Sequence, residues 1–292
     1  MSDSPVITRF APSPTGRLHL GHAASALMAW AAARDAGGRF LLRIEDIDTT
    51  RCRDDYIDGI YEDLAWLGLT WETPIRRQSE HLNDYRAALD RLQTMGLIYP
   101  CICTRREIAA EVAASASAPH GAEGPLYPGI CKSRSPAEMQ AALQAGRPHA
   151  LRLDMEKAVA VLREKGCWPL QFHDELRGET VAVAPALHGD VVLGRKDVGT
   201  SYHLAVTVDD ALQGITHVIR GEDLLASTHV HRILQALLDL PVPVYRHHPL
   251  LTDDSGRRLA KRDRAITLQA LRENGETAAS VRQGLATEGF TV

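Results

Sequence analysis

The pattern of apolar and polar residues changes character several times along the chain, and each change marks an element. Residues 6–10 form a β-rich run that breaks at Pro12, Pro14 and Gly16, and an alanine-rich helical run begins near His22. The predicted helix over residues 23–35 consists of strong helix formers and stops at Gly37-Gly38. An apolar strand follows over residues 39–44, then amphipathic helical patterns over residues 54–67 and 80–95, the second closed by Gly96. Ser135-Pro136-Ala137-Glu138 is a capping box with proline at the first helical position, which starts a helix running to Gly146. Residues 149–194 alternate short β-like runs (150–153, 180–184 and 191–193) with polar turns, the pattern of an inserted domain rather than of a helical bundle. A buried-strand pattern over residues 216–219 precedes an amphipathic helix over residues 225–238, closed by Pro241 and Pro243. Two short helical patterns occupy residues 267–292.

The strand, loop and helix start at residues 6–22 have the shape of a phosphate site. Free N–H groups at a helix start attract anions, and Gly16 and Gly21 let backbone come close to a ligand. The two glycines stand five apart as in a P-loop, but His22-Ala23 follows where Lys-[Ser/Thr] belongs, and no G-x-G-x-x-G is present. In its place is His19-Leu20-Gly21-His22, two imidazoles that can each donate a hydrogen bond to a phosphate oxygen. A second strand end carries Arg43-Ile44-Glu45-Asp46-Ile47-Asp48, with carboxylates where a parallel strand delivers them to the edge of a doubly wound sheet. Arg220, at the end of the 216–219 strand, would deliver a positive charge in the same way.

Composition narrows the classes. The 33 basic and 37 acidic residues leave a net charge of −4, so nucleic acid would have to be held by a local patch, for which residues 257–264 are the candidate. The longest nearly apolar run, residues 23–33, falls well short of the roughly 18 residues that suggest a membrane span, and the first four residues lack the basic start of a signal peptide. A cytoplasmic protein with no membrane partner is expected. Five cysteines, unevenly spread, argue against a disulfide framework. Cys101, Cys103 and Cys131 are three soft ligands that could hold tetrahedral zinc with a fourth, whereas Cys52 and Cys167 have no partner pattern.

His19-Leu20-Gly21-His22 resembles the "HIGH" signature of class I aminoacyl-tRNA synthetases, and Arg9-Phe10-Ala11-Pro12-Ser13-Pro14-Thr15-Gly16 before it resembles the glutamyl/glutaminyl branch. Arg258-Leu259-Ala260-Lys261-Arg262 is similar to the second signature, "KMSKS". Arg258 replaces its first lysine and Ala260 departs at a serine position, so only Lys261 stands where a catalytic lysine is expected. The resemblance runs from Thr8 to about Arg264, with the two signatures in order. It implies an α/β fold: a class I synthetase-type doubly wound parallel sheet with an inserted zinc-containing α+β domain and a short helical C-terminal segment. The catalytic halves would be residues 1–100 and 195–245, the insertion 101–194, and the loop and tail 246–292.

The same resemblance implies activation of L-glutamate by ATP with Mg²⁺. His19, His22 and Lys261 would serve ATP and catalysis. Arg9, Phe10, Ala11, Pro12, Ser13, Glu45, Tyr202 and Arg220 would form the glutamate pocket, with Glu45 on the α-ammonium and the arginines on carboxylate. Some members use a Cys-x-Cys…Tyr-x-x-x-Cys arrangement, and Tyr127 and Cys131 keep that spacing, which implies a structural zinc held by Cys101, Cys103, Tyr127 and Cys131. A full glutamyl-tRNA synthetase continues past the second signature into a large anticodon-gripping region, whereas only residues 263–292 follow Arg262 here. Short stand-alone proteins with this cysteine spacing resemble enzymes that place glutamate on the cyclopentene-diol of queuosine in the anticodon loop of tRNA(Asp). A monomer is expected. A minimal enzyme charging the 3′ end of tRNA(Glu), a non-catalytic RNA-binding paralogue and a small-molecule ligase stay open.

Overall fold

A computed structural model describes residues 5–114, 120–121, 124–251 and 266–292, with side chains outside 111–125. Its elements run β1 (Ile7–Phe10), α1 (Leu20–Asp35), β2 (Arg39–Ile44), α2 (Asp54–Trp66), β3 (Glu72–Arg77), α3 (Leu82–Thr94), β4 (Ile98–Cys101) and α4 (Arg105–Ala114). A two-residue pair follows, β5 (His120–Gly121) and β6 (Gly124–Pro125), then α5 (Pro136–Gln144), β7 (Ala150–Leu153), α6 (Met155–Glu164), β8 (Gln171–Asp174), β9 (Glu179–Ala182) and β10 (Val192–Gly194). The remainder is α7 (Tyr202–Leu212), β11 (His217–Gly221), α8 (Leu225–Leu237), β12 (Val244–His248), α9 (Leu268–Glu273) and α10 (Ala278–Thr287).

β1, β2 and β3 pair in parallel, as do β11 and β12. Thr216 N–H donates to the Ile7 carbonyl at 3.0 Å, and Ile7 N–H donates to Thr216 Oγ1 at 2.8 Å, so β11 begins beside β1. The strands therefore lie in the order β3, β2, β1, β11, β12, β8, β9, and the direction of winding reverses between β1 and β11. In a doubly wound sheet the crevice opens at that reversal, outside the carboxyl ends of the strands. β8 and β9 arise within residues 101–194 yet extend this sheet, β8 pairing in parallel with β12 and so covering its edge. A separate antiparallel sheet joins β10, β7 and β4.

Several elements differ from the sequence-based expectation for local reasons. α1 starts at Leu20, ahead of the expected residue 23, because His19 acts as its N-cap. α7 has no readable period: Leu204 to Asp210 are all buried, so the helix is covered on every side and carries no polar stripe. α6 hides inside a stretch rich in valine, but Met155, Ala158 and Leu162 form its buried face and the Asp154 side chain accepts from Lys157 N–H at 3.2 Å. One apolar core lies around α3, α6, α7, α8 and β12. A second packs α1, β2 and α2 against Leu268, Val281, Leu285 and Phe290 of the C-terminal segment. Among the described residues no helix is long and apolar enough to cross a membrane.

Candidate active site

A cleft of about 500 Å³ opens at the ends of β1 and β11. Arg9, Phe10, Ala11, Pro12, Ser13, His19, His22, Glu45, Tyr202 and Arg220 all line it, together with Ser25, Asp223, His248 and Phe290. Lys261 and the basic stretch 257–264 lie outside the described residues.

The floor on the α1 side is a capping box built from imidazoles. His19 Nδ1 accepts from Gly21 N–H at 3.2 Å, and His22 Nδ1 accepts from His19 N–H at 3.2 Å. With Nδ1 acting as acceptor on both rings, each neutral imidazole carries its proton on Nε2, as a donor. Glycine at position 21 lets the ring come close, since a Cβ there would lie 3.1 Å from His19 Cε1 and push the ring outward by a few tenths of an ångström. The rings take up the N–H groups of His19 and Gly21, so the start of α1 offers an anion the positive end of the helix dipole and the two ring nitrogens.

On the β2 side stands a knot of buried charge. Arg43 is fully buried and donates to Asp210 Oδ1 (2.7 Å), Gln213 Oε1 (2.9 Å) and Glu45 Oε1 (3.1 Å). Arg9 meets the same Asp210 with Nε (2.9 Å) and Nη2 (3.2 Å), so its charge is already balanced inside the protein. Burial works to raise the pKa of Asp210, but Arg9 and Arg43 outweigh it and hold it below the usual carboxylate range. For Glu45 burial wins: its pKa is raised, and Arg43 and Arg9 offset that only in part. Asp209 anchors the far side of the knot, accepting from Tyr85, Arg76 and Gln78.

Arg220, at the end of β11, is different. It is buried, yet all its partners are neutral: His247 Nε2 (3.2 Å), Tyr202 OH (3.2 Å), Thr228 Oγ1 (2.6 Å) and His231 Nδ1 (3.4 Å). His231 is held well below the usual histidine pKa, by burial first and by Arg220 second. Among the described residues no carboxylate lies within ion-pair reach of Arg220. A buried guanidinium without a counter-ion is costly unless something supplies the negative charge. Asp174, Thr228, His231 and His247 had no sequence signal of their own, because the sheet register and a helix turn bring them to Arg220.

A second cluster sits apart from the cleft. Cys101, Cys103 and Cys131 are buried with their sulfurs within 4.8 Å of one another. Tyr127 OH lies 3.5 Å from Cys101 Sγ and 3.6 Å from Cys103 Sγ, and accepts from Cys131 N–H at 2.7 Å. The Arg152 guanidinium packs on the Tyr127 ring, 3.7 Å from its centre. Three thiols and a phenol oxygen converging on one point form a donor set that a tetrahedral metal ion fits.

Residues 5–292 match the family described as tRNA synthetases class I (E and Q), catalytic domain. The chain is 51% identical to the Glutamyl-Q tRNA(Asp) synthetase of Rhodobacter capsulatus, over 95% of this chain and 99% of that one. It is 38% identical to the Glutamate--tRNA ligase of Aquifex aeolicus, over 93% of this chain but only 54% of that protein. Among solved structures, the glutamate-tRNA synthetase of Elizabethkingia anophelis superposes with a TM-score of 0.74 at 30% identity, covering 89% of this chain and 53% of that one.

Proposed function

Because this chain belongs to the class I tRNA synthetases of the glutamate and glutamine type, we propose that it activates L-glutamate with ATP and transfers the glutamyl group to the queuosine of tRNA(Asp). The observation that carries the glutamate reading is Arg220, a buried cation whose partners among the described residues are all neutral, facing the same cleft as Glu45 and the imidazole-capped helix start.

In this reading the substrate's side-chain carboxylate meets Arg220 and Tyr202, which gives the guanidinium its missing counter-charge. The α-ammonium meets Glu45, whose ionised form it stabilises against burial. The α-carboxylate then attacks the α-phosphorus of ATP in line. A carboxylate O–P bond forms, the bond from the α-phosphorus to the α–β bridging oxygen breaks, and pyrophosphate leaves; Mg²⁺ on the phosphates would offset their charge. His19 and His22 Nε2–H donate to phosphate oxygens as their charge redistributes, the positive end of the α1 dipole favours that charge, and Lys261 adds a positive charge from the second signature. In the second step a hydroxyl of the queuosine cyclopentene-diol attacks the activated carbonyl and AMP departs. Glutamine is rejected because its amide leaves Arg220 buried without a counter-charge, a penalty of several kcal/mol.

The acceptor reading rests on the Rhodobacter capsulatus relative, matched along almost its whole length. Cys101, Cys103, Tyr127 and Cys131 would hold a structural zinc, which fixes the fold of that region and takes no part in the chemistry; elemental analysis before and after Cys101→Ser checks it. Labelled glutamate should pass to tRNA(Asp) that contains queuosine and not to the same tRNA without it. Transfer to tRNA(Glu) independent of queuosine would establish charging of the 3′ end instead.

A further inference from the structure

The orientation of Arg220 is set by groups that lie behind it. Arg220 on β11 and His247 on β12 are register partners, and one strand further on Asp174 of β8 ends beside Tyr245. His247 Nδ1 lies 2.6 Å from Asp174 Oδ2, with both side chains fully buried. Asp174 Oδ1 also accepts the N–H groups of His247 and Arg177, each at 3.4 Å. On its other face the His247 ring offers Nε2 to Arg220 Nε at 3.2 Å and to Thr228 Oγ1 at 3.0 Å. Neither Asp174 nor His247 is among the residues lining the cleft.

We infer that Asp174 and His247 are a positioning pair that aims Arg220 at the substrate carboxylate. The inference rests on the reading of Arg220 as the group that meets the glutamate side chain. A carboxylate accepts only, so it selects the Nδ1–H tautomer of His247 and leaves Nε2 with a lone pair. That lone pair takes the Nε–H of Arg220 and fixes the plane of the guanidinium fork, while Tyr202 and Thr228 take one proton from each terminal nitrogen. The reverse tautomer would set Nε2–H against Nε–H and turn the fork. Burial, with Arg220 adding to it, pushes the His247 pKa down to about 4, which keeps the ring neutral and the acceptor available.

The imidazole also explains why the carboxylate stands one residue away. Asp210 touches Arg9 directly and balances its charge. Asp174 in the same position against Arg220 would occupy the fork and compete with the substrate. Set behind a neutral ring, it orients the guanidinium without neutralising it.

Asp174→Asn tests this with an isosteric change, because the amide can donate to Nδ1 and reverse the tautomer. The expected result is a rise of about tenfold or more in the glutamate KM for pyrophosphate exchange, an ATP KM unchanged within about twofold, and a narrower preference for glutamate over glutamine. His247→Gln keeps an oxygen acceptor facing Arg220 Nε and should stay within about threefold of the parent. On that background Asp174→Asn should add no more than about twofold, since no tautomer is left to set. An equal Asp174→Asn penalty with and without His247→Gln, or no effect on the glutamate KM, would overturn the pairing. Nitrogen-15 spectra of the parent protein decide even if a variant does not fold: His247 protonated on Nδ1 supports the inference, and protonated on Nε2 sinks it. A parent protein that fails to activate glutamate would remove the functional reading, while the spectrum still reports on the pair.

Discussion

Two buried arginines, Arg220 lining the cleft and Arg43 behind its Glu45, are kept in opposite ways. Arg43 is enclosed by Asp210, Glu45 and Asp209; burial disfavours its charge, but these carboxylates more than offset that and its pKa rises. Arg220, buried but lining the cleft, has only hydroxyls and neutral rings as hydrogen-bond partners among the described residues. The first arrangement balances itself when the cleft is empty and serves as a frame. The second is balanced only when an anion arrives, which is what a binding group requires.

The sharpest way to break this contrast is to remove each arginine and compare stability with activity. Arg43→Ala takes the guanidinium from Glu45 and leaves Asp210 with Arg9 and Asp209 with Arg76, and should cost about 3–5 kcal/mol of stability, a fall in melting temperature on the order of 10 °C. Arg220→Ala should lower glutamate-dependent pyrophosphate exchange by about a hundredfold or more, about 2.7 kcal/mol, while the melting temperature stays within about 3 °C or rises. If both variants melted equally early, the distinction between frame and binding group would be lost. Glu45 belongs to both sides, paired with Arg43 yet open to the cleft. Glu45→Gln should therefore raise the glutamate KM about tenfold with the ATP KM unchanged, about 1.4 kcal/mol.

Asp63 supplies the mirror case. It is buried on α2, neither oxygen has a hydrogen-bond partner among the described residues, and its nearest cation is Arg272 at 3.8 Å. Burial, opposed by Arg272 and Arg17, raises its pKa from 3.8 to about 6. The folded chain thus binds this proton more tightly than the unfolded chain. Its contribution to stability is full below pH 3.8 and is lost as pH rises through about 6. Asp63→Asn cannot ionise, so it should stabilise the protein above about pH 6 by roughly 1–3 kcal/mol, with the gain vanishing near pH 4. Urea melts of both proteins across that range check the sign, and a gain independent of pH would contradict it.

What could be read in the sequence is set by distance along the chain. His19, Gly21 and His22 lie within one turn of helix, and the strand end at Glu45 announces itself by carboxylates after an apolar run, so those features are visible as motifs. Asp210 is invisible because α7 is covered on all sides, so no polar face of the helix marks it out. His247 and Asp174 reach Arg220 only through the register of β11, β12 and β8. No local pattern encodes a pairing between positions 174, 220 and 247. The winding of β8 and β9 into the same sheet as β12 was hidden for the same reason, since turns and short β-runs within residues 149–194 do not say which sheet they join.

The seam between β1 and β11 has a kinetic consequence. Ile7 and Thr216, which close it, are separated by 209 residues. Joining ends so distant in sequence is entropically uphill until many other contacts exist, and such pairings slow folding. β1, synthesised well before β11, must therefore keep one edge without its native neighbour until β11 has been made. During that interval it is a strand with one unpaired edge, open to pairing with other chains.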